Sequence, residues 1–240
     1  MKLLIIGGVA GGASAAARAR RLDEQAEIVL FERGGDPSFA NCGMPYYIGG
    51  EIADRSKLLV TPVERLRKRY RLEVRVRTSV ESIDRVRKIV VAKELTTGRT
   101  YEESYDKLIL SPGAAPLRPP LPGLDLPGIF TLRDLRDSDQ IKAAVDGGVK
   151  RALIVGAGFI GLEMAENLAR RNVATTVIEL ADQIVPPWDK EMTTDAAAHL
   201  RQRGVTLVLG DAVASFAANP QGGLVATTLY RFGRIDGLVN

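Results

Sequence analysis

Residues 3–32 read LLIIGGVAGGASAAARARRLDEQAEIVLFE and residues 152–179 read ALIVGAGFIGLEMAENLARRNVATTVIE, two stretches with one layout. Each has a short apolar run, a glycine-rich turn, an alanine-rich segment, a second apolar run and a final glutamate. Continuous apolar runs bounded by glycine are typical of strands buried on both faces. Each stretch is therefore predicted to form a strand–helix–strand unit with parallel strands and a right-handed crossover.

The two glycine turns indicate nucleotide binding. In the dinucleotide fingerprint one glycine allows the tight turn, a second lets the backbone approach a pyrophosphate, and a third lets helix and strand pack closely. These positions hold Gly7, Val9 and Gly12 in the first turn and Gly156, Gly158 and Gly161 in the second. Val9 departs from the pattern. A single such turn also joins ordinary strands and helices, but the repetition predicts an α/β fold with two three-layer Rossmann-like nucleotide-binding domains.

An acidic residue follows each turn by a little over twenty positions. Glu32 and Glu179 are placed to accept hydrogen bonds from a ribose. A carboxylate at this position repels a 2′-phosphate, and Leu180 and Ala181 supply no compensating arginine. Glu179 therefore favours NADH over NADPH. Two dinucleotides in one chain indicate electron transfer between them.

The composition bounds the class of protein. The 240 residues are 45% hydrophobic and 26% charged, which fits one or two globular domains and excludes a disordered or collagen-like chain. The apolar start is too short for a signal peptide, and no run approaches the roughly 20 apolar residues of a membrane span. We therefore expect a cytoplasmic protein without membrane contact. One cysteine and one histidine exclude an internal disulfide and argue against a metal centre.

A short helix and a small antiparallel β-meander are predicted between the two units. Thr61 and Glu64 have the spacing of a capping box, with Pro62 at the first helical position, so the helix should run to about Arg69. The meander is assigned to residues 72–77, 89–95 and 100–105, with a turn at Thr97–Gly98.

The domain boundary is predicted in a proline-rich segment. Six of the twelve prolines lie between Pro112 and Pro127, which marks a stiff linker. The predicted division gives residues 1–111 to the first nucleotide domain, 112–130 to the linker and 131–240 to the second nucleotide domain. Ser138 is predicted to cap a helix that stops at Gly147–Gly148.

A cluster of seven basic residues extends from the predicted short helix into the first strand of the predicted meander. Its members are Arg65, Arg67, Lys68, Arg69, Arg71, Arg75 and Arg77. In a chain whose net charge is only +4, the cluster is either a solvated face or a collar for a phosphorylated small molecule. Nucleic acid is disfavoured because Tyr70 is the one aromatic residue within the cluster.

The only cysteine lies just after the first unit. Cys42 stands in SFANCGMPYYIGG, residues 38–50. A lone cysteine is usually a small buried hydrophobic residue. Here Asn41 is placed to cap a helix that begins around the cysteine, and a helix N-terminus favours the thiolate. Cys42 is therefore a candidate reactive thiol.

This segment and the variant turn GGVAGG resemble the FAD-dependent pyridine nucleotide-disulfide oxidoreductases with a single active cysteine, and within that family the coenzyme A-disulfide reductase branch. The resemblance covers about residues 1–210 and implies FAD at the first turn and NAD(P)H at the second. It implies that catalytic Cys42 forms a mixed disulfide with coenzyme A, to which the reduced flavin returns electrons. The same thiol would serve a coenzyme A persulfide or polysulfide, so the resemblance leaves these substrates open beside the disulfide.

The resemblance also assigns binding residues. For the cofactors they are Gly7, Gly8, Val9, Ala10, Gly11, Gly12, Glu32, Arg33, Ser111, Pro112, Gly113, Gly156, Gly158, Phe159, Ile160, Gly161 and Glu179. For the coenzyme A substrate they are Ser14, Arg18, Arg21, Ser38, Asn41 and either Lys68 or Arg69. The spacing of Ser14, Arg18 and Arg21 places them on one face of the first helix. That face either binds the substrate or is an ordinary polar face exposed to solvent. His199 and Trp188 have no predicted role.

Three functions are compatible with these residues. Relatives that reduce oxygen or peroxide through a cysteine sulfenic acid have a histidine where this chain has Ala10, so disulfide reduction is favoured over an NADH oxidase or peroxidase. The third is a non-catalytic nucleotide-binding fragment.

The end of the chain departs from the family. Family members continue with a strand that returns to the FAD domain and with a dimerisation domain through which they form homodimers, and residues 232–240 do not fit the family pattern. Without the returning strand we expect FAD to bind more weakly, by on the order of several kcal/mol.

Overall fold

The computed structural model describes residues 1–220 and 222–229. The chain divides into two compact units. Unit 1 comprises Met1–Asn41 and Arg55–Ala115, and unit 2 comprises Cys42–Asp54 and the described residues from Pro116 onward. The departure predicted at residues 232–240 lies outside the described residues. No helix in the described part of the chain has the length and apolar character that a membrane crossing requires.

Unit 1 is built on a four-stranded parallel sheet in the order β3–β2–β1–β7. Its elements are β1 (Lys2–Ile6), α1 (Gly11–Leu22), β2 (Glu27–Phe31), a 3₁₀ turn (Arg55–Leu58), α3 (Val63–Tyr70), β3 (Glu73–Arg75), β4 (Thr78–Asp84), β5 (Ile89–Glu94), β6 (Thr100–Ser104) and β7 (Lys107–Leu110). The predicted strand–helix–strand arrangement of the first unit is confirmed.

The central strand β1 faces a different layer on each side. Successive strand residues point to opposite faces. Leu3 and Ile5 therefore join a core with Leu66 of α3, and Leu4 joins a second core with Val90 of β5. Helices cover one face of the sheet and the meander covers the other, which confirms the three-layer architecture in unit 1.

The meander consists of β4, β5 and β6, which differs in one strand from the prediction. Residues 72–77 instead supply β3, which pairs in parallel with β2 at the sheet edge. An edge strand of a parallel sheet is half-exposed, so it shows the same alternation as an antiparallel strand. The pattern does not reveal β4 because its residues are mostly polar and a bulge between Val80 and Ser82 interrupts the alternation.

Helix α3 confirms the predicted short helix but not its cap. Pro62 is the N-cap and no side chain of the described residues caps the helix, so Thr61 and Glu64 do not act as a capping box. The Thr61 N–H instead donates to the carbonyl oxygen of Ser38 at 3.2 Å, so the Thr61 backbone is bonded to a neighbouring segment.

A buried arginine ties α1 to the loop after α3. Arg20 is 8% exposed, although Arg18 and Arg21 of the same helix are exposed. Its guanidinium donates to the carbonyl oxygens of Asp23, Glu24, Tyr70 and Arg71 at 2.7 to 3.2 Å. One side chain therefore satisfies four backbone acceptors, two of which end α1 and two of which end α3.

Replacing Arg20 by leucine is expected to lower the free energy of unfolding by about 3 kcal/mol, because four partly buried carbonyls lose their donor. Urea unfolding followed by far-ultraviolet circular dichroism measures the change. Arg21→Leu, at the exposed neighbouring position, is the matched control and should change stability by no more than about 0.5 kcal/mol. Equal effects of the two substitutions would contradict the assignment.

Unit 2 contains a three-stranded parallel sheet in the order β10–β9–β8 and an antiparallel hairpin. Its elements are the last two residues of a 3₁₀ turn (Asn41–Gly43) whose first residue belongs to unit 1, α2 (Met44–Gly49), α4 (Leu135–Asp146), β8 (Arg151–Val155), α5 (Phe159–Arg170), β9 (Ala174–Glu179), α6 (Lys190–Gln202), β10 (Thr206–Leu209), β11 (Val213–Ala218) and β12 (Leu224–Thr228). The second strand–helix–strand unit is also confirmed.

The sheet of unit 2 is covered by α5 and α6 and by the hairpin. Helix α5 contacts β8 and β9, and α6 contacts β10. Leu153 and Ile178 pack with Phe216 and Leu224 of the hairpin and with leucines of the proline-rich segment. That segment thus contributes apolar side chains to the core of unit 2, and the boundary between Ala115 and Pro116 falls within it.

The cysteine segment groups with unit 2, whereas the predicted division placed it within residues 1–111. Helix α2 packs against α4 and α5, and its residues Met44, Pro45, Tyr47 and Ile48 are buried there. A contact of this kind joins residues far apart in sequence, so local patterns do not reveal it.

Helix α4 is capped by Asp134 and not by the predicted Ser138. The Asp134 carboxylate accepts hydrogen bonds from the N–H groups of Arg136 and Asp137. Ser138 lies inside the helix, fully buried, and its hydroxyl has no hydrogen-bond partner among the described residues. The predicted end at Gly147 is confirmed.

Two substitutions at this helix are expected to have different effects on the free energy of unfolding. Asp134→Ala removes the cap and should lower the free energy of unfolding by about 1 kcal/mol. Ser138→Ala removes a buried polar group that lacks a partner, so it should be neutral or slightly stabilising. Thermal unfolding followed by the fluorescence of Trp188, the only tryptophan, reports on this unit. A loss of about 1 kcal/mol or more in Ser138→Ala would reveal a partner for the hydroxyl.

Candidate active site

The first glycine turn joins β1 to α1, and three of its glycines leave no room for a side chain. Gly7 has φ +93°, and a Cβ on it would overlap the carbonyl oxygen of Ser111 at the end of β7. A Cβ on Gly12 would overlap the carbonyl oxygen of Gly7, and one on Gly11 would lie 2.6 Å from the Ser111 hydroxyl oxygen. The first and third glycines therefore have the turn and packing functions expected from the fingerprint.

In the part of the chain that the structure describes, no side chain caps the N-terminus of α1. Ala10 is the N-cap residue without a capping side chain, and the first turn of the helix has no acidic residue. Val9 is half-buried and Gly8 is buried. Uncapped N–H groups at a helix start attract a phosphate. The turn therefore fits the pyrophosphate of a dinucleotide.

The second turn is more open than the first. Gly156 has φ +102°, and no described atom lies within 4 Å of a Cβ built on Gly156 or Gly158. A Cβ on Gly161 would overlap the carbonyl oxygen of Gly156, so this glycine lets α5 pack closely on β8. The open space over Gly158 is the approach that the fingerprint reserves for a pyrophosphate.

The two acidic residues are held in the same way. Each carboxylate accepts one N–H from its glycine turn and one from two residues after itself, at 2.7 to 2.9 Å. The donors are Gly8 and Gly34 for Glu32 and Ala157 and Ala181 for Glu179. A carboxylate offers about four acceptor positions, so each can still receive ribose hydroxyls. The sequence repeat thus extends to the hydrogen bonds, and both sites fit dinucleotides.

Aromatic side chains flank the second turn. Phe159 and Ile160 are 58% and 57% exposed, and the ring of Trp188 meets that of Phe159 edge to face with 5.7 Å between centroids. The loop that carries Trp188 is tied to the turn, because the N–H of Val185 donates to the carbonyl oxygen of Ala157 at 2.8 Å. Val185 has φ +45°, a strained conformation for a β-branched residue. Sequence reasoning gave neither Trp188 nor Val185 a role.

The cysteine is exposed and carries a free thiol. Cys42 lies in the 3₁₀ turn Asn41–Gly43, and α2 begins at Met44 with Gly43 as its N-cap. Asn41 therefore does not cap α2, which corrects the prediction. A cap at Asn41 would require α2 to begin at Cys42, but residues 41–43 form the 3₁₀ turn and α2 begins only at Met44.

The predicted substrate residues of α1 share an exposed face. Ser14, Arg18 and Arg21 are all exposed, and Arg20 faces the core. The cofactor candidate Arg33 is exposed after Glu32, and Pro112 and Gly113 are exposed after β7.

Ser38 lies against the first glycine turn. Its N–H donates to the carbonyl oxygen of Gly8 at 2.9 Å, and its own carbonyl oxygen accepts the N–H of Val60 at 2.8 Å. Ser38 is 7% exposed and has φ +53°. It is therefore a buried residue with a strained backbone and not a surface contact. Asn41, by contrast, is exposed.

The basic cluster does not form a single collar. Arg75 is half-buried, with ion pairs to Glu73 and Glu103 and a hydrogen bond to the Tyr101 hydroxyl. Burial alone would raise the pKa of the Glu103 carboxyl, but hydrogen bonds from Lys2 and Arg75 hold that pKa below its ordinary value. This part of the cluster joins β3 to the meander.

The basic residues of α3 have different contacts, which bears on the choice between Lys68 and Arg69 as the substrate-binding residue. The Arg67 guanidinium donates to the carbonyl oxygen of Val74 at 2.8 Å. The Arg69 guanidinium lies 5.8 Å from the ring centroid of Tyr70. Lys68 is exposed and makes no hydrogen bond or ion pair with the residues that the structure describes. Of the two alternatives, Lys68 and Arg69, Lys68 therefore has the cationic group with fewer contacts.

Two dinucleotide turns with matching carboxylates and one exposed thiol are features of the oxidoreductases that bind two nucleotides. The chain belongs to the pyridine nucleotide-disulphide oxidoreductase family, which matches residues 1–235. Membership confirms the resemblance and makes the chain part of an FAD- and NAD(P)H-dependent class of enzyme.

The relatives agree with this family. A coenzyme A disulfide reductase of Staphylococcus aureus is 36% identical over 219 residues, which cover 91% of this chain and 49% of the relative. The structure of reduced Bacillus anthracis CoADR-RHD has a TM-score of 0.90 at 45% identity, over 99% of this chain and 43% of the other. An NAD-dependent persulfide reductase from A. fulgidus has a TM-score of 0.93 at 34% identity, over 100% and 44%. The chain thus spans about half the length of the curated relatives it matches.

Proposed function

We propose that this chain reduces coenzyme A disulfide, or a coenzyme A persulfide, at Cys42 with electrons from NADH. The exposed thiol carries this proposal. Because these 240 residues contain no second cysteine, we infer that the substrate supplies the other sulfur of the disulfide that Cys42 forms during turnover. The names of the relatives support a sulfur substrate of this kind.

Unit 1 is proposed to bind FAD and unit 2 the nicotinamide nucleotide. The first turn, with Glu32, and the end of β7 at Ser111 would hold FAD. The second turn, with Glu179, would hold NADH. Glu179 keeps free acceptor positions for ribose hydroxyls and would repel a 2′-phosphate, which supports NADH over NADPH.

The reaction at the thiol balances in two steps. The Cys42 thiolate attacks one sulfur of the coenzyme A disulfide, the sulfur–sulfur bond breaks, and one coenzyme A thiolate leaves. With a persulfide, sulfide leaves instead. When bound, FAD would carry the two electrons of NADH to the mixed disulfide. Two electrons and a proton then release the second coenzyme A thiol and restore the Cys42 thiolate.

The phosphates of coenzyme A require cations. The exposed face of α1 offers Ser14, Arg18 and Arg21, and α3 offers the ammonium group of Lys68. Arginine and lysine bind phosphate through charge-assisted hydrogen bonds. We include Asn41, next to the thiol in sequence, in the proposed substrate site. We also include Ser38, which is buried and would act on the substrate site through its hydrogen bonds to neighbouring backbone and not by direct contact.

An absorption spectrum of the FAD-supplemented chain tests the cofactor assignment. We expect a flavin band that bleaches when NADH is added without oxygen, with NADPH less effective. A chain that takes up no flavin even when the FAD concentration is raised to saturation, or a bound flavin that neither nucleotide bleaches, would overturn the assignment and favour a non-catalytic nucleotide-binding fragment.

Mass spectrometry of the chain treated with coenzyme A disulfide tests the thiol chemistry. We expect one coenzyme A adduct on Cys42, which NADH removes in the presence of FAD. The oxidase or peroxidase alternative predicts instead a sulfenic acid on Cys42 that forms with peroxide and disappears with NADH. Absence of the adduct would contradict the proposed function.

A further inference from the structure

Helix α2 fixes the position of the cysteine. Cys42 lies in the 3₁₀ turn that runs directly into α2, whose side chains are buried between α4 and α5. The thiol itself is exposed and its turn has no buried residue. Its place in unit 2 therefore depends on how α2 is held.

One contact between α2 and α5 leaves no free space. Gly49 is the last residue of α2, and a Cβ built on it would overlap the side-chain oxygen of Asn167. The same Cβ would lie 2.8 Å from Cγ and 2.9 Å from Cβ of Asn167, below the range of real Cβ contacts. Only glycine lets α2 approach α5 this closely.

The amide of Asn167 is oriented toward Gly49. Asn167 is fully buried, and its side-chain nitrogen donates to the carbonyl oxygen of Glu163 at 2.8 Å within α5. This bond fixes which end of the amide faces α2. The oxygen has no hydrogen-bond partner among the described residues. A buried acceptor without a strong donor lowers stability, so an arrangement that retains one calls for an explanation.

Side chains after Asn167 hold the same end of α2. The Arg171 guanidinium donates to the carbonyl oxygen of Ile48 at 3.3 Å and pairs with Asp146 at 2.8 Å. Arg170 pairs with Glu51, just after the helix. The C-terminal end of α2 is thus attached to α5 and its flanking residue at several points, and the contact with Asn167 sets their separation.

We propose that Gly49 and Asn167 are positioning residues that set the placement of the Cys42 thiol by fixing α2 against α5, the helix that begins at the second glycine turn. The proposal deepens the proposed function, because it names residues that act on the reactive thiol without touching the substrate. It predicts that the two residues act as a pair.

The alkylation rate of Cys42 by iodoacetamide tests the pair, and it requires neither cofactor nor turnover. The single cysteine makes the signal specific. Gly49→Ala forces α2 away from α5, so we expect the loosened segment to react faster, by about threefold or more. Asn167→Ala removes the contact from the other side and should also raise the rate. In the double variant the new methyl group occupies the vacated space, and the rate should return to within about twofold of wild type.

Gly148→Ala is the matched control. Gly148 follows α4 in the same unit, has φ +88° and has no described atom within 4 Å of a built Cβ. Its substitution should lower the melting temperature and leave the alkylation rate unchanged. Because Asn167→Ala keeps the small residue at position 49, it serves as the independent variant if Gly49→Ala does not fold.

Two results would overturn the inference. One is an unchanged alkylation rate in both folded single variants. The other is a double variant whose rate is the product of the two single effects, which would show that the residues act independently. Failure of wild type to form a coenzyme A adduct would overturn the proposed function alone, since alkylation does not depend on that substrate.

Discussion

Cys42→Ser is expected to abolish NADH-driven reduction of coenzyme A disulfide, with a loss of about a thousandfold or more. A serine hydroxyl is not ionised near neutral pH and cannot form a sulfur–sulfur bond, so the mixed disulfide has no equivalent in the variant. Release of free coenzyme A thiol, measured by mass spectrometry of the small-molecule fraction, gives the rate.

The same variant should keep its nucleotide sites. Cys42 contributes to neither glycine turn, so flavin content and bleaching by NADH should match those of wild type. Such a result would separate loss of the thiol from loss of the fold. Coenzyme A production by Cys42→Ser at the wild-type rate would refute a thiol mechanism, because the chain has no other cysteine to replace it.

Gly7→Ala is expected to have the largest effect on stability in unit 1, a loss of about 4 kcal/mol. Two effects add at this position. The residue has φ +93°, which an L-amino acid rarely adopts, and its Cβ would overlap the carbonyl oxygen of Ser111. The turn must therefore move away from the end of β7. Chemical unfolding followed by circular dichroism measures the loss.

Gly98→Ala separates these two effects. Gly98 lies in the turn between β5 and β6 with φ +76°, and no described atom lies within 4 Å of a built Cβ. Its substitution should lower the free energy of unfolding only through the strain of a positive φ, by about 1–2 kcal/mol. A Gly7→Ala variant no less stable than Gly98→Ala would show that the contact with Ser111 relaxes easily.

The repeated units could be predicted because their signals are local. A buried parallel strand is a continuous apolar run, and a glycine turn precedes each helix, so residues 3–32 and 152–179 are sufficient to define both units. Where two local signals competed, the structure was needed to decide. Asp134 and Ser138 are both good caps in isolation, and only the start of α4 at Leu135 distinguishes them.

The candidate site was only partly accessible to sequence reasoning. The turns and their carboxylates follow a known spacing, whereas the pairing of Gly49 with Asn167 joins residues more than a hundred positions apart. The hydrogen bond from Ser38 to Gly8 and the exposed pair of Phe159 and Trp188 are likewise tertiary contacts. Such contacts leave no periodic signal in the chain.

The division of the chain has a practical consequence for dissecting the protein. Because Cys42–Asp54 belongs to unit 2, the polypeptide passes between the units at three points, after Asn41, Asp54 and Ala115. A recombinant fragment cut at Ala115 would carry α2 without the helices that bury Met44 and Ile48, and would be prone to aggregate. A separately expressed first half therefore requires α2 to be replaced by a short polar bridge, and the separate second half requires α2 to be grafted onto it.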